Sequence, residues 1–397
     1  MLRHAIFVAS TLAILSVSVS AQRIQDVEVE YQTKMFKQWW NTDLVWTFNE
    51  LPTEGSVEEI RIPYSGCDFP DSRGGTDRPV GDDEISPLWK YDRAFNRGKP
   101  KAQKYEESDV NAPGPGTFGP LGLVRWGNGN PNWHGHCNGW TAAAIRHAEP
   151  RKSVVRNGVT FTPADIKALL ADIYMYCDTE FLGGEDEIIN PGTLHVTIAN
   201  WIGRGQHPIG METKPGEVVY NYPVYAYKSS MRRISARVVE VEMVVTYAYN
   251  TNYEYDKSPR ETEQDYFHYK LKLDDAGRIV GGVYYNDSTE IDMLWAPLRP
   301  IQGGEEGNEW GNPHIDLDEV LSMWRESVPR EIRADWWTID RLAEDVMDPD
   351  AERRTELLAM KDTQEPLSDA EEMELEALLA RQAARAANAS AEETTIR

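Results

Sequence analysis

The sequence predicts an α+β fold in which an antiparallel sheet packs against helices, and three observations carry that reading. Thr162-Pro163-Ala164-Asp165 joins an N-cap residue to a first-turn proline, and Ile166, Leu169, Leu170 and Ile173 continue as one apolar helical face ending near Cys177. Arg237 to Tyr249 alternates, with Val239, Val241, Met243 and Val245 on one side of a strand. Tyr266 to Leu273, the turn Asp274-Asp275-Ala276-Gly277, and Arg278 to Tyr285 form a hairpin.

The remaining elements follow in chain order. Residues 1–21 hold Arg3 as their one formal charge, the apolar run Ala5 to Val19 and the small residues Val19-Ser20-Ala21, the pattern of a signal peptide. The apolar run is short for a membrane span, an uncleaved anchor being the alternative, and no later segment is long and apolar enough to cross a bilayer. The expected product is exported, either secreted or periplasmic. Residues 22–128 are rich in Pro, Gly, Trp and Asp and read as a loop-rich N-terminal region packed on the core, with Tyr31 to Phe48 as a helical piece. Residues 129–300 form the expected core, with further strands at Leu194 to Ile202 and Val219 to Tyr227. Residues 301–348 carry helices at Asp316 to Glu326 and Thr338 to Val346. Residues 349–397 are an acidic, peripheral helical tail with a capping box at Ser368-Asp369-Ala370-Glu371 and an apolar stripe of Met373, Leu375, Leu378 and Leu379.

A net charge of −24 over 397 residues argues against nucleic acid and anionic lipid as partners, because both repel a strongly acidic surface. It suits basic or amine-bearing substrates. The three cysteines, Cys67, Cys137 and Cys177, are an odd count. In an oxidising compartment that suggests one disulfide and one spare thiol. If Cys137 is the spare, Cys67 pairs with Cys177, with two unpaired structural cysteines as the alternative.

Cys137 draws attention because Trp133-His134-Gly135-His136-Cys137-Asn138-Gly139-Trp140 places it at the first turn of a helix. The helix dipole and the free N–H groups there acidify a thiol. The plainer reading is a small buried hydrophobe. A cysteine nucleophile needs a base, and His195, after Asn190-Pro191-Gly192 at the start of the expected strand, is the best one. The imidazole needs an orienting acceptor: Glu212 is preferred, with Asn221 as the alternative. The oxyanion donors would be the Cys137 N–H with Trp133 Nε1 or the Asn132 amide. His134 and His136 near a cysteine raise metal ligation, but no second cluster at zinc spacing accompanies them. No metal or cofactor is therefore expected. The acidic clusters Asp82-Asp83-Glu84 and Glu185-Asp186-Glu187 lack the spaced calcium-loop pattern and leave a calcium requirement open.

The stretch Trp133 to Ala144 resembles the nucleophile motif of the secreted transglutaminase elicitor family. In the same order come Pro63-Tyr64-Ser65-Gly66, Ser86-Pro87-Leu88-Trp89-Lys90-Tyr91-Asp92, Val159 to Leu170, Asn190-Pro191-Gly192-Thr193-Leu194-His195, Pro215-Gly216 to Val224, and Leu294-Trp295-Ala296-Pro297. The resemblance spans about residues 35 to 300. It implies a papain-like cysteine core with protein-glutamine γ-glutamyltransferase activity. By that analogy Cys137 attacks a glutamine carboxamide of a protein or peptide donor, ammonia leaves after protonation by His195, and a primary amine or water resolves the thioester. Glu212 stands where the family's pattern leads one to expect Asp. A cysteine peptidase or amidase is the alternative within enzymes. From a different class comes a non-catalytic wall-binding protein on the same scaffold, its 13 tryptophans serving as platforms.

Overall fold

A computed structural model of the chain describes residues 22–110, 134–184, 188–216 and 218–339, together with Leu357, 367–368 and 371–379. The expected leader, Asn132, Trp133, the cluster at 185–187 and most of the helix expected at 338–346 lie outside the described residues.

The chain opens with β1 (Gln22–Arg23) and α1 (Asp26–Trp40), then β2 (Glu54–Ser56), α2 (Pro87–Ala94) and α3 (Lys101–Val110). After the gap come α4 (Cys137–Arg146), the small hairpin β3 (Val154–Arg156) and β4 (Val159–Phe161), α5 (Pro163–Ile173), β5 (Thr179–Gly183) and α6 (Pro191–Ile198). A run of strands follows: β6 (Ile209–Glu212), β7 (Asn221–Ser235), β8 (Val238–Ala248), β9 (Thr262–Leu273), β10 (Ile279–Tyr284) and β11 (Met293–Pro297). α7 (Leu317–Ser327) and α8 (Arg330–Ile339) complete the main body. The fold mixes helices with an antiparallel sheet, as the alternating runs indicate.

The sheet runs β1-β10-β9-β8-β7-β6-β11-β5, with β2 also pairing β7. The two N-terminal strands therefore belong to the same sheet as the later ones. α6 packs on β9 and β10 and also on β5, so the curled sheet brings both its ends to that helix. α4 packs on β6, β7 and β11 and against α5. Gly139 permits the helix contact, since a Cβ there would stand 2.1 Å from the Ala171 carbonyl oxygen.

The expected α5 start is present in full: the Thr162 hydroxyl accepts from Asp165 N and the Asp165 carboxylate accepts from Thr162 N. The tail capping box also forms, with Glu371 Oε2 accepting from Ser368 N and Ser368 Oγ accepting from Glu371 N. Beside it Leu357, Leu367, Leu375 and Leu378 pack together.

Two expectations are corrected. Residues 194–202 are not a strand but the body of α6 and a π-helical turn, Ala199–Arg204. Asn190 is the N-cap, its side chain accepting from Gly192 N at 2.8 Å, and Pro191 is the first helical residue. Every residue of α6 is buried. A helix buried on all sides has no polar face, so Leu194, Val196 and Ile198 mimic a strand's period of two. The second correction concerns sulfur. All three cysteines are free: Cys67 touches Arg78, while Cys177 lies 3.5 Å from Thr179 Oγ1.

Candidate active site

Residues just before α4 are held against the N-terminal segment. His136 N donates to Asp68 O at 2.7 Å and Asp71 N to His134 O at 3.0 Å, and Gly135 bridges to Pro70. Gly135 is required by this close approach, because a Cβ would lie 2.8 Å from the carbonyl oxygens of Asp68 and Phe69. His136 is the N-cap and Cys137 the first residue of α4, the position expected from the sequence.

The thiol meets β7. Asn221 Nδ2 donates to Cys137 Sγ at 3.9 Å, and the thiol faces the Val219 carbonyl oxygen at the same distance. Trp295 Nε1 donates to Asn221 Oδ1 at 2.8 Å, which fixes the carboxamide so that its NH2 end faces sulfur. Thr141 Oγ1 donates to the Asn221 carbonyl oxygen at 2.9 Å and ties α4 to that strand residue.

Register explains this convergence. Asn221 is paired with Glu212, Glu212 with Met293 and Gly210 with Trp295. Residues paired across strands, and residues two apart along one, share a face. Glu212, Asn221 and Trp295 therefore project from one face, while Met211, Tyr222 and Leu294 project from the other.

Burial pushes the Cys137 thiol up to about 11; contacts from Asn221 oppose this, and the charges of Asp68 and Glu212 add to it. Enclosure of the sulfur and its negative neighbours oppose the acidification expected at a helix start, because desolvation and like charge both disfavour the thiolate.

His195 lies elsewhere. Its Nδ1 is 2.8 Å from Tyr269 OH, and its ring stacks on Phe48 with centroids 5.7 Å apart. Tyr269 is paired with Val241, which lies on the same side of β8 as Met243, Val245 and Tyr247; Tyr247 in turn is paired with Val224, two residues from Tyr222. His195 is thus on the Tyr222 face, opposite the face that carries Asn221 and Glu212. Burial alone pushes its pKa down to about 4. The structure brings together Cys137, Asn221 and Glu212 and does not bring His195 to them. Glu212 consequently sits where it acts on the thiol rather than on His195.

Among the described residues, the imidazoles nearest Cys137 in sequence are already engaged. His134 Nδ1 is 2.6 Å from Asp71 Oδ2, and His136 Nε2 is 3.3 Å from Asp172 Oδ1. Burial opposes charge on His136, but Glu106 and Asp172 outweigh it and push the ring up to about 10. Sequence reasoning missed Trp295 as the residue that orients Asn221. The available signal was a tryptophan in a short apolar run, whose buried N–H must find an acceptor.

Residues 124–184 match the transglutaminase elicitor family, a span that includes Cys137 and ends before His195. No curated protein matches the chain. Among solved structures, the GP42 transglutaminase from Phytophthora sojae is similar with a TM-score of 0.61 and 23% identity, over 77% of this chain and 99% of that one. At that identity the likeness is one of fold. Around Cys137 the sequence is similar to the transglutaminase elicitor family, and over most of its length the fold is similar to that of the GP42 transglutaminase.

Proposed function

We propose that the chain is an exported acyltransferase of the transglutaminase class, built on a papain-like arrangement of a cysteine at a helix start facing an antiparallel sheet. The observation that carries this reading is the Trp295-oriented Asn221 amide donating to Cys137 Sγ at the first turn of α4. Sγ attacks the side-chain carboxamide carbon of a glutamine-containing donor, and the Asn221 NH2 with the Cys137 N–H bears the charge developing on oxygen. The C–N bond breaks, the thiol proton leaves with nitrogen as ammonia, and a primary amine then displaces sulfur to give the crosslink. A thiol held near 11 must lose its proton within the attacking step. Glu212, on the Asn221 face and close enough for its charge to act on sulfur, is the carboxylate we assign to carry that proton.

One observation favours a non-catalytic recognition protein instead: among the described residues no imidazole contacts Cys137, and His195 lies across the sheet. The two readings separate in one assay. A glutamine peptide and a labelled primary amine are incubated with the protein and with Cys137→Ala, and ammonia and label are followed. Acyl transfer gives both products, reduced by more than about 10³-fold in the variant. Ammonia without label indicates an amidase and chain cleavage a peptidase. Equal signals from wild type and variant remove the catalytic reading.

A further inference from the structure

The residue directly before the thiol belongs to a second cluster that the acyl-transfer chemistry does not use. Glu106 of α3, His136 at the N-cap of α4 and Asp172 in the last turn of α5 retain 3%, 3% and 6% of their exposure. His136 Nε2 is 3.3 Å from Asp172 Oδ1 and 3.8 Å from Glu106 Oε2, and one donor atom from each residue lies within 4.8 Å of the other two. An ion bound tetrahedrally at about 2.1 Å keeps its donors about 3.4 Å apart, so the two separations from His136 Nε2, 3.3 and 3.8 Å, already lie near that spacing.

The carboxylates are also held from outside. Thr76 N donates to Glu106 Oε1 at 2.9 Å, and Thr76 Oγ1 donates to Asp172 Oδ1 at 3.1 Å. Such outer contacts orient metal-binding carboxylates. Asp172 Oδ2, by contrast, is buried and among the described residues has no hydrogen-bond partner, a costly state for a carboxylate oxygen.

We propose that Glu106, His136 and Asp172 form a site for one divalent transition ion of the Zn2+ or Mn2+ type, which ties the start of α4 to α3 and α5. One imidazole and two carboxylates match that class, whereas Ca2+ prefers a larger shell made only of oxygen. The ion is structural: it holds the turn that presents Cys137, and its binding is linked to folding.

The test uses the full chain stripped with a chelator and titrated calorimetrically with Zn2+, Mn2+ and Ca2+, with melting curves recorded alongside. One equivalent of Zn2+ or Mn2+ should bind and raise the melting temperature, with Ca2+ at least about tenfold weaker. Asp172→Asn and Glu106→Gln should each weaken binding more than about tenfold. If Asp172→Asn fails to fold, Glu106→Gln carries the test. Absence of a saturable equivalent in the folded protein, unaltered affinity in the folded variants, or a His136 ring that stays protonated in saturating Zn2+ overturns the proposal. None of these readouts depends on acyl transfer, so this site and the proposed activity fail separately.

Discussion

On one face of the sheet, Glu212, Asn221 and Trp295 converge on a thiol at a helix start. On the other face, His195 sits in a fully buried helix with Tyr269 as its hydrogen-bond partner and Phe48 against its ring. Burial drives both groups toward their neutral forms, raising the thiol to about 11 and lowering the imidazole to about 4. The surroundings then differ in kind. Cys137 meets an oriented donor and two negative charges, features that could serve a changing charge, whereas the His195 shift has burial as its sole cause. The contrast teaches that a buried, strongly shifted group is not by itself a reactive one. What distinguishes the thiol face is a set of polar groups fixed to act on the same atom.

The largest way to break this comparison is to remove the oriented donor. Asn221→Ala should lower amine incorporation by about 10²- to 10³-fold with the chain still folded, the size expected for one oxyanion donor. A loss below threefold, in single-turnover measurements of ammonia release, would take Asn221 out of the chemistry.

The next test reads the opposite face. A histidine near 4 in the folded chain and near 6.5 unfolded takes up its proton more readily when unfolded. Its contribution to stability is complete above about pH 6.5 and is lost as pH falls to 4, by about 3 kcal/mol in all. Urea unfolding of His195→Gln across that range should show a pH dependence shallower by this amount. An unchanged slope would show that the folded imidazole titrates normally.

The smallest effect sharpens the thiol face itself. Trp295→Phe keeps the aromatic packing and frees the Asn221 amide to rotate, and should slow amine incorporation about tenfold, equal to one hydrogen bond. The decisive comparison is with Asn221→Ala,Trp295→Phe. If Trp295 acts through Asn221, the second substitution adds little to the first.

Local signals were legible because local chemistry decides them. Thr162-Pro163-Ala164-Asp165 is a complete helix start within four residues, and the turn Asp274 to Gly277 fixes the β9–β10 hairpin. Cys137 at the head of α4 was equally readable from its neighbours. α6 was misread because its all-round burial erased the helical period, although Asn190-Pro191 marked its start. The consequence reaches the site, since a histidine expected at a strand edge beside a helix is found inside α6 against Tyr269 and Phe48. The surroundings of the thiol were not legible for a related reason: its enclosure and the nearby carboxylates are set by distant residues.

By itself the sequence determined where helices and hairpins begin, that a thiol heads one helix, and that the segment around it resembles the transglutaminase elicitor family, because caps, turns and motifs act over a few residues. Only the tertiary structure decided which partners reach that thiol. Strand register puts Asn221 and Glu212 on its face and the His195 side chain on the other, and a shift of one residue would reverse that assignment.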